Sequence, residues 1–171
     1  MRKSTLSSVA SWTVIASTAD KVIMHYTICS PGRSFVLRLE DGDVLHEAVE
    51  AFAIEQGITA ASVMAVGGAD DGSTLVVGPN DGNESPIRPM KHVLAGVHEF
   101  IGVGTIFIDE TGKPTLHMHA SCGREGKAVT GCVHAGVSVW LVMELVIHEL
   151  LGCDATRLHD PISDFDLLHI K

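Results

Sequence analysis

Basic tracts are missing from this sequence. Twelve Lys and Arg stand against 21 Asp and Glu, a formal net charge of −9, and beyond the Arg2–Lys3 pair the basic residues are scattered. A phosphate backbone repels such a surface unless a local basic patch overcomes it, so direct DNA binding is not expected of this chain. No apolar run reaches the roughly 18 residues that a membrane-spanning helix needs, and no membrane partner is expected. The four cysteines, Cys29, Cys122, Cys132 and Cys153, form no C-x-x-C pair, which removes zinc-ribbon and thioredoxin-type motifs. A chain of 171 residues, 46% of them hydrophobic, can bury a core without disulfides. The cysteines therefore read as reduced thiols and the protein as cytoplasmic. H-E-x-x-H is also lacking. His46, His98 and His148 are each followed by Glu, but Glu50, Gly102 and Gly152 stand where the second histidine belongs, which excludes a zincin protease. No G-K-[ST] follows the glycines of "GVGTIF", so there is no phosphate loop. No internal repeat is visible.

What remains is one domain's worth of apolar, glycine-dotted chain. Residues 1–23 read as an extension, disordered or loosely docked. Their two early positive charges and small residues near Ala19 loosely resemble a secretory signal diluted by Ser and Thr. Met24 stands where the regular pattern begins, so residues 24–171 form the expected domain. "SFVLRLE" alternates Phe35, Leu37 and Leu39 and predicts a strand, with Val36 breaking the alternation. "DVLHEAVEAFAIEQG" carries Leu45, Ala48, Val49 and Phe52 at helical spacing, with Asp43 placed to cap it and Gly57 to end it. "ITAASVMAVGGA" and "STLVVGP" predict strands, and "GGADDG" includes a turn. "NDGNESPIRP" is a polar loop. "KHVLAGVHEFIGVGTIFID" predicts two strands with a bend or bulge between Gly96 and Gly104. "VSVWLVMELVIHELLG" shows no polar face and predicts a central strand, in which Glu144 needs a partner. That partner is either functional or lies across a subunit contact. The tail is loop, plus a short strand near Phe165 to Ile170. One helix among many strands gives an α+β fold, a mostly antiparallel sheet with one covering helix. The other sheet face stays too apolar for water, which implies self-association.

The chemistry concentrates in "LHMHASCGREGKAVTGCVHAG", Leu116 to Gly136. Side chains alternate across a strand, so His117 and His119 share one face. If Glu125 and Gly126 form the turn of a hairpin, Arg124 faces Lys127, His119 faces Cys132 and His117 faces His134. All four would then lie on one side of the sheet, with opposite Cβ atoms about 4.5–5.5 Å apart. Imidazole nitrogens and a thiolate so placed suit a divalent metal, zinc above all. A slip of one residue would send His134 and Cys132 to the other face and leave His117 and His119 paired. The competing explanation is a hydrogen-bonded pair of strand histidines. His98 is a further candidate ligand, or else a solvated loop residue. Cys122 and Cys132 are nucleophiles near the histidines or small buried residues. No catalytic residue is assigned.

"GRSFVLRLEDGDVLHEAVEAFAIEQGITAASVMAVGGADDGSTLVVG", "HEFIGVGTIF", "KPTLHMHASCGR" and "TGCVHAGVSVWLVMELVIHEL" together resemble the PPC domain, the plant and prokaryote conserved domain. The likeness covers nearly all of Met24 to Leu151. It implies an antiparallel sheet with one main helix, a homotrimer, and a site lined by the H-x-H histidines, here His117 and His119. The family often carries G-G-H on the second hairpin strand. In this sequence Cys132 stands where that histidine would be, so either Cys132 replaces it, His134 reaches in, or the site is lost. Plant members attach the domain to AT-hooks, basic segments that enter the minor groove. No AT-hook is present here. Three functions follow as expectations. The first is a trimeric binding or assembly protein with a metal site, associated with DNA through partners. The second is a zinc-type metal-dependent enzyme on an unknown small molecule, with Glu99 or Glu144 as base. The third is a DNA-binding regulator.

Overall fold

A computed structural model describes residues 24–171, and the reading of residues 1–23 as an extension falls outside the described residues. The chain runs β1 (Ser30–Glu40), α1 (Leu45–Gln56), β2 (Ala60–Ala69), β3 (Thr74–Pro79), β4 (Pro89–Val93), β5 (His98–Ile108), β6 (Pro114–Arg124) and β7 (Lys127–Cys132). A 3-10 turn at Val133–Ala135 precedes β8 (Val139–Leu151), β9 (Ala155–Asp160) and β10 (Phe165–Ile170). The first eight strands form one sheet in the order β1-β8-β2-β5-β6-β7-β3-β4, and β9 pairs with β10. Every strand pair is antiparallel. This is the expected α+β architecture. No helix among the described residues is long and apolar enough to cross a membrane.

Alternation assigns each strand's residues to two faces. On one face α1 covers the sheet. Leu45, Val49 and Ala53 from the helix pack with Ala61, Val63, Ala65, Met143, Leu145 and Ile147 in the main core. On the other face Val36, Met64, Val66, Ile101 and Val103 are exposed. Val36 breaks the pattern of its neighbours because it belongs to this open face. One end of the open face is covered by the β9–β10 hairpin, where Ala60, Phe107 and Ala155 form a small second core.

Four sequence expectations are corrected. Asp43 does not cap α1; Val44 takes that position with no side-chain cap, and the Asp43 carboxylate accepts the Glu40 N–H at 2.9 Å instead. The helix does end as expected. Gly57 is left-handed, φ 65°, and the N–H groups of Gly57 and Ile58 donate to Ile54 and Ala53 at 3.2 and 2.9 Å, which satisfies two terminal carbonyls. The break expected between Gly96 and Gly104 falls earlier, between β4 and β5, and β5 pairs with β2 and β6 without interruption. Glycine is needed within β5 for another reason: a Cβ on Gly104 would lie 2.6 Å from the His117 carbonyl oxygen. β8 is central and bent as expected, with a register shift opposite Gly67–Gly68 and a left-handed Leu141, φ 62°. It does have a second face, however. Glu144 points to the open side between Arg38 and Val66 and is exposed, so it is no buried charge. Finally, Ala155–Asp160 is a strand rather than loop, because it pairs along its whole length with the expected strand Phe165–Ile170.

Candidate metal centre

The hairpin forms with the register read from the sequence. Glu125 and Gly126 take φ of 53° and 74°, the positive pair that a tight two-residue turn requires. Arg124 faces Lys127 and His119 faces Cys132. On the other edge of β6, His117 lies opposite Thr105 and His119 opposite Val103. His117 and His119 therefore stand on the open face while Leu116 and Met118 are fully buried on the helix side. Their rings meet edge to face, 5.1 Å between centroids.

His117, His119 and Cys132 bring one donor atom each to within 4.8 Å of one another. A tetrahedral zinc ion with nitrogen and sulfur ligands separates its donors by about 3.3–3.8 Å. Small side-chain rotations close that gap, so the three residues fit such an ion. Burial holds His117 below the ordinary histidine pKa, and the charges of Arg157, His119 and His134 add to this. A neutral imidazole is the ligating form. Burial opposes ionisation of the Cys132 thiol, but hydrogen bonding to His134 outweighs it and the net shift is downward. Cys122 differs: it is fully buried on the helix side and burial pushes its thiol up to about 11. It is a core residue, not a nucleophile.

His134 does not face His117. β7 ends at Cys132 and the chain turns through Val133–Ala135 into Gly136, φ 107°. The turn has a tertiary cause. The next strand, β8, lies four positions away across the sheet, so the chain must leave the hairpin and cross to it. Backbone bonds fasten that crossing: Thr74 N–H donates to Gly136 at 2.7 Å and Leu45 N–H to Val137 at 2.9 Å. His134 is left beside Cys132, with Nδ1 3.7 Å from Sγ. Its Nε2 lies 3.9 Å from Glu50 Oε1, too long for a hydrogen bond but close enough for charge attraction. Its pKa rises to about 9, through Cys132 first and Glu50 second, against the effect of burial.

Glu50, from α1, is the residue that sequence reasoning missed. It is buried, accepts the Leu116 N–H at 3.1 Å and the Lys113 ammonium at 2.9 Å. Burial works against its charge, yet His134, Lys113 and Leu116 together hold its pKa down to about 2. His46, one helical turn earlier, lies beside His134 with 5.7 Å between ring centroids and the rings tilted by 53°, and its Nδ1 is buried without a hydrogen-bond partner among the described residues. A polar strand of side chains thus runs from the helix, through His134, to Cys132.

His98 is not brought into the group. It pairs with Ala69 at the start of β5, seven residues from Thr105 and so about 23 Å along the strand from the row of His117. Its Nδ1 lies 2.9 Å from the Gly96 carbonyl. Glu99 is four residues from Val103, about 13 Å along the strand. Glu144 lies on β8, three strands from β6, a span of about 14 Å. Neither carboxylate reaches the donor group.

The model of the Plants and Prokaryotes Conserved (PCC) domain matches residues 26–151. No curated protein matches the sequence. Among solved structures, a metal-containing protein of Archaeoglobus fulgidus is similar at 24% identity and TM-score 0.73, over 85% of this chain and 99% of that one. A plant- and prokaryote-conserved protein of Pyrococcus horikoshii is similar at 22% identity and TM-score 0.69, over 86% and 100%. A putative DNA-binding protein of Ralstonia eutropha is similar at 21% identity and TM-score 0.62, over 80% and 90%.

Proposed function

Starting from a chain that belongs to the Plants and Prokaryotes Conserved (PCC) domain family, we propose that it is a homotrimeric binding or assembly protein. In this reading His117, His119 and Cys132 hold one divalent ion, and His98 and His134 do not. The observation that carries the reading is the convergence of three donors within 4.8 Å on the open face. Two imidazoles and a thiolate favour zinc over magnesium or calcium, which prefer oxygen ligands. A bound zinc ion would supply Lewis acidity at any coordination position left open. The similar protein of Archaeoglobus fulgidus, a metal-containing protein, supports this reading.

Assembly follows from the open face. Ile101 and Val103 on β5 are 63% and 65% exposed and Val36 on β1 is 82% exposed, with the exposed Met64 and Val66 of β2 next to β5 on the same sheet. Apolar patches of this kind mark protein contacts. Copies of this chain are the occupant proposed here, as the family resemblance implies. The similar protein of Ralstonia eutropha is a putative DNA-binding protein, but a net charge of −9 opposes direct contact with a phosphate backbone. Association with DNA would then run through a partner. The enzyme reading is weaker, since Glu99 and Glu144 lie about 13–14 Å from the donor rows.

Elemental analysis with light scattering tests the proposal. The expected result is one zinc per chain in a particle of three chains, with His117→Ala/His119→Ala folded but metal-free. Full metal retention in that double variant would overturn the site, and a monomeric wild type would overturn the assembly.

A further inference from the structure

Residues 152–171 follow the segment matched by the family model, and they add a second feature beside the donor group. Arg157, on β9, is only 6% exposed. Its side chain lies on the open face, over the Phe107 ring at 5.8 Å. Nη2 donates to Thr105 Oγ1 at 3.1 Å. Thr105 is the residue directly opposite His117, so the guanidinium is one side chain removed from the metal-type donors.

This arginine is short of partners. Nε is buried without a hydrogen bond, and among the described residues no carboxylate stands within ion-pair distance of the guanidinium. Burial pushes its pKa down, and Asp166, across the hairpin, and Cys132 oppose this only through space. A buried guanidinium is ordinarily matched by an anion, because removing the charge from water is otherwise unfavourable. The packing against Phe107 offsets part of this but leaves the Nε donor unused.

We propose that Arg157 forms, beside His117, His119 and Cys132, a receptor for a small carboxylate. The planar guanidinium edge, Nε with its neighbouring Nη, matches the two oxygens of a carboxylate. A monoanion also meets less repulsion from an acidic protein than a dianionic phosphate does. The proposal rests on the metal reading only for the identity of the neighbouring group. The anion itself is recognised by Arg157, whose guanidinium Thr105 holds in place.

The test uses carbon-13 acetate as probe, read by line broadening on the full chain, with and without zinc. Saturable binding is expected. Arg157→Met should weaken it by about tenfold or more, the loss of a charge-assisted hydrogen bond, with zinc content unchanged. Arg157→Lys, which keeps the charge but not the fork, should fall between. Thr105→Val should weaken binding about two- to fivefold by freeing the guanidinium, and it carries the test if Arg157→Met does not fold. Acetate affinity unaltered in Arg157→Lys and Thr105→Val would overturn the proposal. So would inorganic phosphate displacing acetate at lower concentration. A wild type that binds acetate through Arg157 but takes up no zinc would instead overturn the metal reading alone.

Discussion

The two faces of one sheet have opposite fates in this chain. Along β8, Met143, Leu145 and Ile147 are fully buried under the helix, while Trp140, Glu144 and His148 alternate with them into the open. Along β6, Leu116 and Met118 go to the core and His117 and His119 to the open side. The closed face is finished by the chain itself. The open face combines exposed aliphatic residues, the His117–His119–Cys132 donor group and a buried arginine.

Leu145→Ala should separate the faces most strongly. The substitution leaves a cavity under α1, and about 2–5 kcal/mol of stability should be lost in urea unfolding. Ile101→Glu, on the open side, should leave the chain folded but shift light scattering from the proposed trimer to monomer. Equal loss of folding in both would break the distinction. Glu50→Gln comes next. It removes the charge that faces Lys113 and His134 and weakens the bond to Leu116, so a loss of about 1–3 kcal/mol is expected, whereas Glu99→Gln should change almost nothing.

Acid sharpens the same contrast. Glu50 and Glu149 both have pKa values lowered from 4.5 to about 2. Burial opposes the charge of Glu50, which His134, Lys113 and Leu116 restore. Glu149 owes its shift to Arg33, whose Nε and Nη2 donate to it at 2.8 and 2.7 Å. A depressed carboxylate pKa stabilises the fold above 4.5, and that contribution is lost as pH falls towards 2. Unfolding midpoints should therefore drop across this window, and Glu149→Gln should flatten part of the drop. The smallest effect is expected from His98→Ala, which should leave zinc content at the wild-type level in elemental analysis.

Much of this arrangement was legible in the sequence for local reasons. Alternation fixes the shared face of His117 and His119 whatever surrounds them. The two-residue break at Glu125–Gly126 sets the pairing of His119 with Cys132, and the helix shows in its spacing and in Gly57. What escaped is tertiary. His134 leaves the hairpin face because the chain must cross to β8, which no hairpin rule contains. Glu50 follows buried Val49 on the helix and reads as solvent-facing until Lys113 and Leu116 are brought to it from β6 and the turn before it. Glu144 looked buried because the open-face residues of β8 are themselves largely apolar. Arg157 lay in a tail that shows its strand only through its pairing with β10.

Zinc-edge X-ray absorption on the purified protein decides whether Cys132 and the two histidines hold a metal ion together. One sulfur scatterer is expected at about 2.3 Å and nitrogen scatterers at about 2.0–2.1 Å, with the sulfur lost in Cys132→Ala. A metal shell without sulfur, or a protein that holds no metal after exposure to zinc, would contradict the three-residue site.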